Sequence, residues 1–280
     1  MAIKDLAVAY DGSIAAQSAL HFAIRKASRH DAALTGIHVY TPGGLQDNYK
    51  RWIPAEVLSN VQAGAKARLV EIESDFRNRV AEASFNGPVH WIVEEGQPAV
   101  ALARRGRFYD FLVTGQFVRA IRREHSALQP EDLIHGLGKP LIIVPESDRV
   151  GELTGKAAIA WDGSRSAARA LSDAMQILET KTNIDVVVVE GRKHVDDPYA
   201  PLPAEDIVEH LGRHGVKATE VRLKIEHGGP AQTLLAYCAQ ADPDVLVMGA
   251  FGRGKLGAML FGSMTTAVLA KMTCPVLISH

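Results

Sequence analysis

The chain has 280 residues, 47% of them hydrophobic and 22% charged, a balance that fits one large or two ordinary globular domains with a substantial core. A formal net charge of -1 excludes a broad nucleic-acid footprint, which needs a basic surplus. No apolar run approaches the ~20 residues of a bilayer span, and Asp5 in MAIKDLAVAY stands where a signal peptide needs an apolar core. A cytoplasmic location is therefore expected, with neither nucleic acid nor membrane as partner. Cys238 and Cys274 show no CxxC spacing, which points to buried thiols rather than to a disulfide framework or a zinc knuckle.

In chain order, a short apolar run Leu6 to Tyr10 ends in Asp11-Gly12-Ser13 and leads into the helical pattern AAQSALHFAIRKA. Further strands are predicted near Leu34 to Tyr40, Val89 to Glu94, Phe111 to Thr114 and Leu141 to Val144, with a helix from Ala55 to Ala83. Pro145 to Gly155 is polar and turn-rich and marks a boundary. Beyond it the text repeats at an offset of 151 residues: AYDGSxxAxxAL returns as AWDGSxxAxxAL, with Asp162-Gly163-Ser164 in place of Asp11-Gly12-Ser13. Further on, in the same order, YDFLVTG and KPLIIV return as PDVLVMG and CPVLIS. In this copy strands are predicted near Ala157 to Trp161, Asp185 to Val189, Glu220 to Glu226, Val245 to Met248 and Val276 to Ile278, with a helix from Ala231 to Ala241. The repeat implies two tandem domains, 1–146 and 154–280. Short apolar strands alternating with helices imply an α/β fold with a mainly parallel, doubly covered sheet in each. VRLKIE alternates apolar and charged residues and is expected at a half-exposed edge.

The chemistry concentrates in VMGAFGRGKLGAMLFGSMTT, from Val247 to Thr266. A buried strand runs into Gly249 and Gly252, and nine further residues lead to Gly262-Ser263 at the start of a predicted helix. Glycines let a backbone approach a phosphate closely, and the N–H groups of a first helical turn point at whatever anion sits there. Ser263, Thr265 and Thr266 add hydroxyls at the same end, and Arg253 and Lys255 either neutralise phosphate charge or point into solvent. The bland alternative is a glycine-rich loop that merely permits tight helix-to-sheet packing.

The spacing G-x2-G-x9-G-[ST], filled by Gly249, Gly252, Gly262 and Ser263, resembles the ATP-binding signature of the universal stress protein (UspA) family. That resemblance covers nearly the whole chain and implies two open doubly wound domains, adenine nucleotide alpha hydrolase-like, of five strands each in the order 3-2-1-4-5. That order brings the end of the first strand and the end of the fourth to one crevice, where the winding reverses. The resemblance implies ATP there, with or without magnesium. Asp162 would meet ribose hydroxyls or the metal, Gly163 and Ser164 would line the turn, and Val188 and Val189 would present backbone to adenine. Gly249, Gly252, Arg253, Gly254, Gly262, Ser263, Met264 and Thr265 would hold the phosphates. Capping of the next helix is the competing role for Asp162 and Ser164, and plain burial the competing role for the two valines. The resemblance also implies pairing of the two copies through their last strands, LIIV and VLIS, as an internal pseudo-dimer. A homodimer of such chains stays open.

The first copy departs from the pattern. Gln116, Phe117 and Val118 replace the Ala-Phe-Gly that follows Gly249, and no G-x9-G-[ST] can be drawn. Nucleotide is expected in the second copy, with weak or no ATP binding in the first, where Arg119, Arg122 and Arg123 offer either an anion site held by charge or a solvated face. The long loop carrying Trp52 and Ile53 covers either a pocket or a neighbour. His210 and His214 share a helix face at i, i+4, yet no third metal ligand stands at a fixed spacing, and His194 is no better defined. No GxSxG, HExxH or complete Walker motif is present: Leu256 follows Gly254-Lys255. Binding is favoured over turnover, and a stress-response regulator, a slow ATP hydrolase and a non-nucleotide scaffold are the three functions in play.

Overall fold

A computed structural model describes residues 3–41, 55–116, 130–146, 154–190, 205–250 and 263–280. In the first half, β1 (Asp5–Ala9), α1 (Ile14–His30), β2 (Ala33–Tyr40), α2 (Ala55–Glu82) and β3 (Val89–Glu95) are followed by α3 (Pro98–Gly106), β4 (Phe111–Gly115), α4 (Pro130–Leu137) and β5 (Leu141–Val144). In the second half, β6 (Lys156–Ala160), α5 (Arg165–Leu178), β7 (Asn183–Glu190), α6 (Glu205–Arg213) and β8 (Ala218–Lys224) are followed by α7 (Gly229–Ala241), β9 (Leu246–Gly249), α8 (Ser263–Lys271) and β10 (Val276–Ser279). Every predicted strand is present, displaced by at most about two residues at its ends.

The ten strands form one sheet in the order β3-β2-β1-β4-β5-β10-β9-β6-β7-β8. Each half therefore has the order 3-2-1-4-5, and the two halves join edge to edge. All pairs within a half are parallel, whereas β5 and β10 run antiparallel, with Ile143 opposite Val276, Ile142 opposite Leu277 and Leu141 opposite Ile278. This is the pseudo-dimer that the resemblance implied. Both last strands are buried throughout and apolar except for Ser279, and each removes the other's open edge, the usual liability of such a strand. The remaining edges are β3 and β8, whose side chains alternate between exposed and half-buried, as VRLKIE foretold.

Helices cover both faces, which is why the central strands read as unbroken apolar runs. One core gathers α1, α2, α5 and α6 on one face of the sheet, through residues such as Leu20, Phe76, Leu171 and Leu211. The other gathers α3, α4, α7 and α8 through Leu102, Leu133, Leu234 and Val268. Neighbouring strand residues divide between the two: Val247 and Leu277 face the first, Met248 and Ile278 the second. Both cysteines are buried, with no disulfide.

One group of charges lies inside the first core region rather than on the surface. Asp244 accepts from the Thr154 N–H at 2.7 Å and the Gly155 N–H at 3.0 Å, and it pairs with Lys181, both side chains being almost fully buried. Lys26, on α1 of the other half, is 2% exposed, with its ammonium 5.3 Å from the Phe22 ring centroid.

Candidate functional site

The parallel strands β6 and β9 lie side by side, Ala160 opposite Met248, and end together where the winding reverses. Past β6 the chain turns through Asp162 and Gly163, whose φ of +68° favours glycine. The Asp162 carboxylate accepts from the Ser164 N–H at 2.9 Å through Oδ1. Ser164 then caps α5, its Oγ accepting from the Ala167 N–H at 3.2 Å and lying 3.1 Å from the Ser166 hydroxyl. Ser164 is thus engaged as an N-cap. Asp162 is exposed, and its bond to Ser164 uses Oδ1 alone.

On the far side of β6, Trp161 N–H donates to the Val187 carbonyl at 2.9 Å, and the pairing register ends at Ala160 opposite Val187. Val188 and Val189 continue past it, paired with Arg222 and Leu223 of β8. By the two-residue period of a strand, Val189 directs its backbone to the same side as Val187, beyond the end of β6. The two side chains are half-buried against opposite cores.

Gly249 closes β9 directly beneath the first turn of α5. A Cβ there would lie 2.5 Å from Ala167 N and from the Ser166 carbonyl carbon. Gly115, at the end of β4, is in the same position: its Cβ would meet the Ala15 carbonyl group at 2.4 Å. Strand-to-helix packing therefore requires both glycines, whatever follows them. Gly249→Ala and Gly115→Ala are each expected to lower stability by about 2 kcal/mol in urea unfolding without ligand, and a loss confined to Gly249 would break the equivalence.

Gly252, Arg253, Gly254 and Gly262, with Lys255, lie outside the described residues. Ser263 opens α8, Met264 and Thr266 are half-buried, and Thr265 is buried. The Ala250 N–H donates to the Ser279 carbonyl at 2.8 Å, and the adjoining His280 ring lies 5.0 Å from that of His135 on α4. Partial burial, then the charges of His135 and Arg165, hold His280 below its ordinary pKa against a hydrogen bond with the Ala250 backbone. The ring is therefore neutral at pH 7.

The first half repeats the turn: Ser13 N–H donates to Asp11 Oδ1 at 2.9 Å, and Ala16 N–H to Ser13 Oγ at 3.2 Å. Its surroundings differ. An Arg68 guanidinium nitrogen from α2 lies 3.6 Å from where a Gly12 Cβ would be. Nearby, the Tyr10 hydroxyl donates to Asp75, itself paired with Arg79 at 3.0 Å. Burial and the Asp75 carboxylate push the Tyr10 hydroxyl well above its usual range, so it stays protonated as a donor. Phe117, Val118, Arg119, Arg122 and Arg123, like Trp52, Ile53 and His194, lie outside the described residues.

His210 and His214 are exposed, with ring centroids 4.8 Å apart. No group of three or more metal-ligating side chains occurs among the described residues. No helix among them is long and apolar enough to cross a membrane.

The universal stress protein family model matches residues 2–145 and again 155–280. The chain belongs to the universal stress protein family. A universal stress protein of Mycolicibacterium smegmatis is 24% identical over 284 residues, spanning 97% of this chain and 95% of that one. Among solved structures, a universal stress protein from Archaeoglobus fulgidus superposes with a TM-score of 0.71 at 18% identity, covering 98% of this chain and 95% of its own. A Pseudomonas aeruginosa protein described as a universal stress protein gives 0.56 at 15% identity over 99% and 93%. The two family matches and the two 3-2-1-4-5 halves make this a tandem member, with the adenine nucleotide alpha hydrolase-like fold of the family.

Proposed function

We propose that this universal stress protein binds ATP, with or without magnesium, in its second half only, and that occupancy serves regulation in the stress response rather than turnover. The observation that carries this reading is the G-x2-G-x9-G-[ST] spacing, which begins at Gly249, on the strand that ends beside the Asp162 turn. Asp162 is the residue suited to ribose hydroxyls or magnesium, since one carboxylate oxygen suffices for the turn. Val188 and Val189 are suited to adenine through backbone that runs past β6. Gly252, Arg253, Gly254, Gly262, Ser263, Met264 and Thr265 complete the phosphate side. Gly249 belongs to the site by position, although its lack of a side chain is already required by α5. The same reading takes the domains as 1–146 and 154–280 and the location as cytoplasmic, and it leaves the association of two chains to a light-scattering mass.

Calorimetric titration of ATP and magnesium into nucleotide-free protein tests the proposal. One site per chain is expected, abolished by Gly262→Asp, which sets a carboxylate among the phosphates. No heat from protein verified as folded and empty would sink it and favour the scaffold.

A further inference from the structure

The antiparallel joint between β5 and β10 has a topological consequence. Within each half, the helix before the last strand runs back from the ligand end of the sheet to the opposite end. Because the two last strands are antiparallel, the amino end of one lies beside the carboxyl end of the other. The carboxyl end of α8 therefore reaches the ligand end of the first half, and the carboxyl end of α4 reaches that of the second. Contacts occur at both places: His135 of α4 packs against His280, and Gln116, the residue after β4, donates its side-chain amide to the Leu269 carbonyl of α8 at 3.0 Å.

Leu269 supplies one of the last four carbonyls of α8, which have no partner inside the helix. Gln116 thus caps this helix from the other half of the molecule. Its backbone does nothing new: Gln116 N–H donates to Val144 O at 2.7 Å just as Ala250 N–H donates to Ser279 O at 2.8 Å. What distinguishes the first copy is the side chain. Where the second copy has alanine, the first carries an amide long enough to cross the joint. Val268 and Leu269 are buried, so α8 is a packed, short rod about 13 Å long, and movement at one end is felt at the other.

We infer that Gln116 is a positioning residue for the second-half nucleotide site, acting from the first half by holding the carboxyl end of α8 so that its amino end, Ser263 onward, is fixed for phosphate. This rests on the nucleotide reading above. The first copy, in losing the motif, has become a support for the second.

The test measures ATP affinity in Gln116→Ala, Gln116→Glu and Gln116→Lys, together with amide hydrogen exchange over 263–271 in nucleotide-free protein. Arg29→Ala serves as control. It removes a different bond between the halves, Arg29 to the Thr180 carbonyl at 3.0 Å, at a place unconnected with α8. Gln116→Ala is expected to weaken ATP about fivefold, Gln116→Glu to weaken it further by setting negative charge against a helix carboxyl end, and Gln116→Lys, which keeps a donor, to restore it. Exchange in α8 should quicken in the first two variants and stay unchanged in Arg29→Ala, whose affinity also stays unchanged. Wild-type affinity and wild-type α8 exchange in Gln116→Ala and Gln116→Glu would overturn the inference, as would an equal loss in Arg29→Ala. If the wild type binds no ATP, the nucleotide reading fails by itself and the exchange rates decide: faster in Gln116→Ala upholds the hold on α8, unchanged overturns it.

Discussion

Asp244→Ala is expected to destabilise the protein by about 3–5 kcal/mol, read as a lowered urea midpoint at pH 7. The carboxylate gathers the Thr154 N–H at 2.7 Å, the Thr154 hydroxyl at 2.9 Å and the Gly155 N–H at 3.0 Å, besides the Lys181 ammonium. Removing it strands a lysine whose side chain is 3% exposed, with Lys26 close enough to add repulsion. The repeat supplies an internal control. Asp110 holds the equivalent place in YDFLVTG and accepts from the Lys4 and Asp5 N–H groups at 2.7 and 3.0 Å, but in a more open setting. Asp110→Ala should cost only about 1–2 kcal/mol. Replacing the pair together, Asp244→Leu with Lys181→Met, should recover most of the loss, because Lys181 is then no longer a buried ammonium stripped of its carboxylate. Burial raises the Asp244 carboxyl, but the Lys181 bond and charge and the Thr154 donors outweigh it and hold it below 3.8. Its contribution is therefore fully present above that value and lost as pH falls through the lower, folded one. The gap between wild type and Asp244→Ala should persist at pH 5 and close in stronger acid. A cost no greater than that of Asp110→Ala would refute the account.

The duplicated text made most of the fold legible. AYDGS and AWDGS fixed the first strand and turn of each half, and the apolar pair LIIV and VLIS, together with the resemblance, pointed to the joint that now appears as β5 and β10. The site was legible in spacing but not in cause. Gly249 carries two readings in sequence, approach to a phosphate and approach to a helix, and the 2.5 Å that would separate a Cβ there from Ala167 N shows that the second holds regardless of the first. Gly115 was the available hint, since it is glycine without the rest of the motif. Ser164 likewise carries two readings in sequence, lining the turn and capping the next helix, and the structure shows the cap on α5. Gln116 was read as the loss of a motif residue, because nothing local reveals that a helix 153 residues away ends beside it. Lys181 and Asp244 likewise meet only through the fold.

Lys26 was invisible for a different reason: a lysine in FAIRKA reads as a solvated residue of an amphipathic helix. At the offset of 151 residues its counterpart is Ile177, which is 1% exposed, so the second copy fills the same place with hydrocarbon. Lys26→Ile is accordingly expected to stabilise the protein by about 2–4 kcal/mol at pH 7, against the usual outcome of core substitutions. Burial first, and then the charge of Lys181 with those of Arg25 and Arg29, push the Lys26 ammonium from 10.5 down to about 7, with Asp244 pulling the other way. A base depressed in the folded state binds fewer protons there than in the unfolded chain between those two values, so wild-type stability should rise as pH climbs from 7 towards 10.5 and be flat in this respect below 7. Urea midpoints of wild type and Lys26→Ile, taken at pH 6.5, 8 and 9.5, should converge as pH rises, because the wild type then sheds the proton it holds at a cost. Lys26→Met, which keeps the unbranched stem beside Phe22, should behave alike. Parallel profiles, or a variant less stable than wild type at pH 6.5, would show that the ammonium finds compensation in the core, and the contrast with Ile177 would then be one of packing alone.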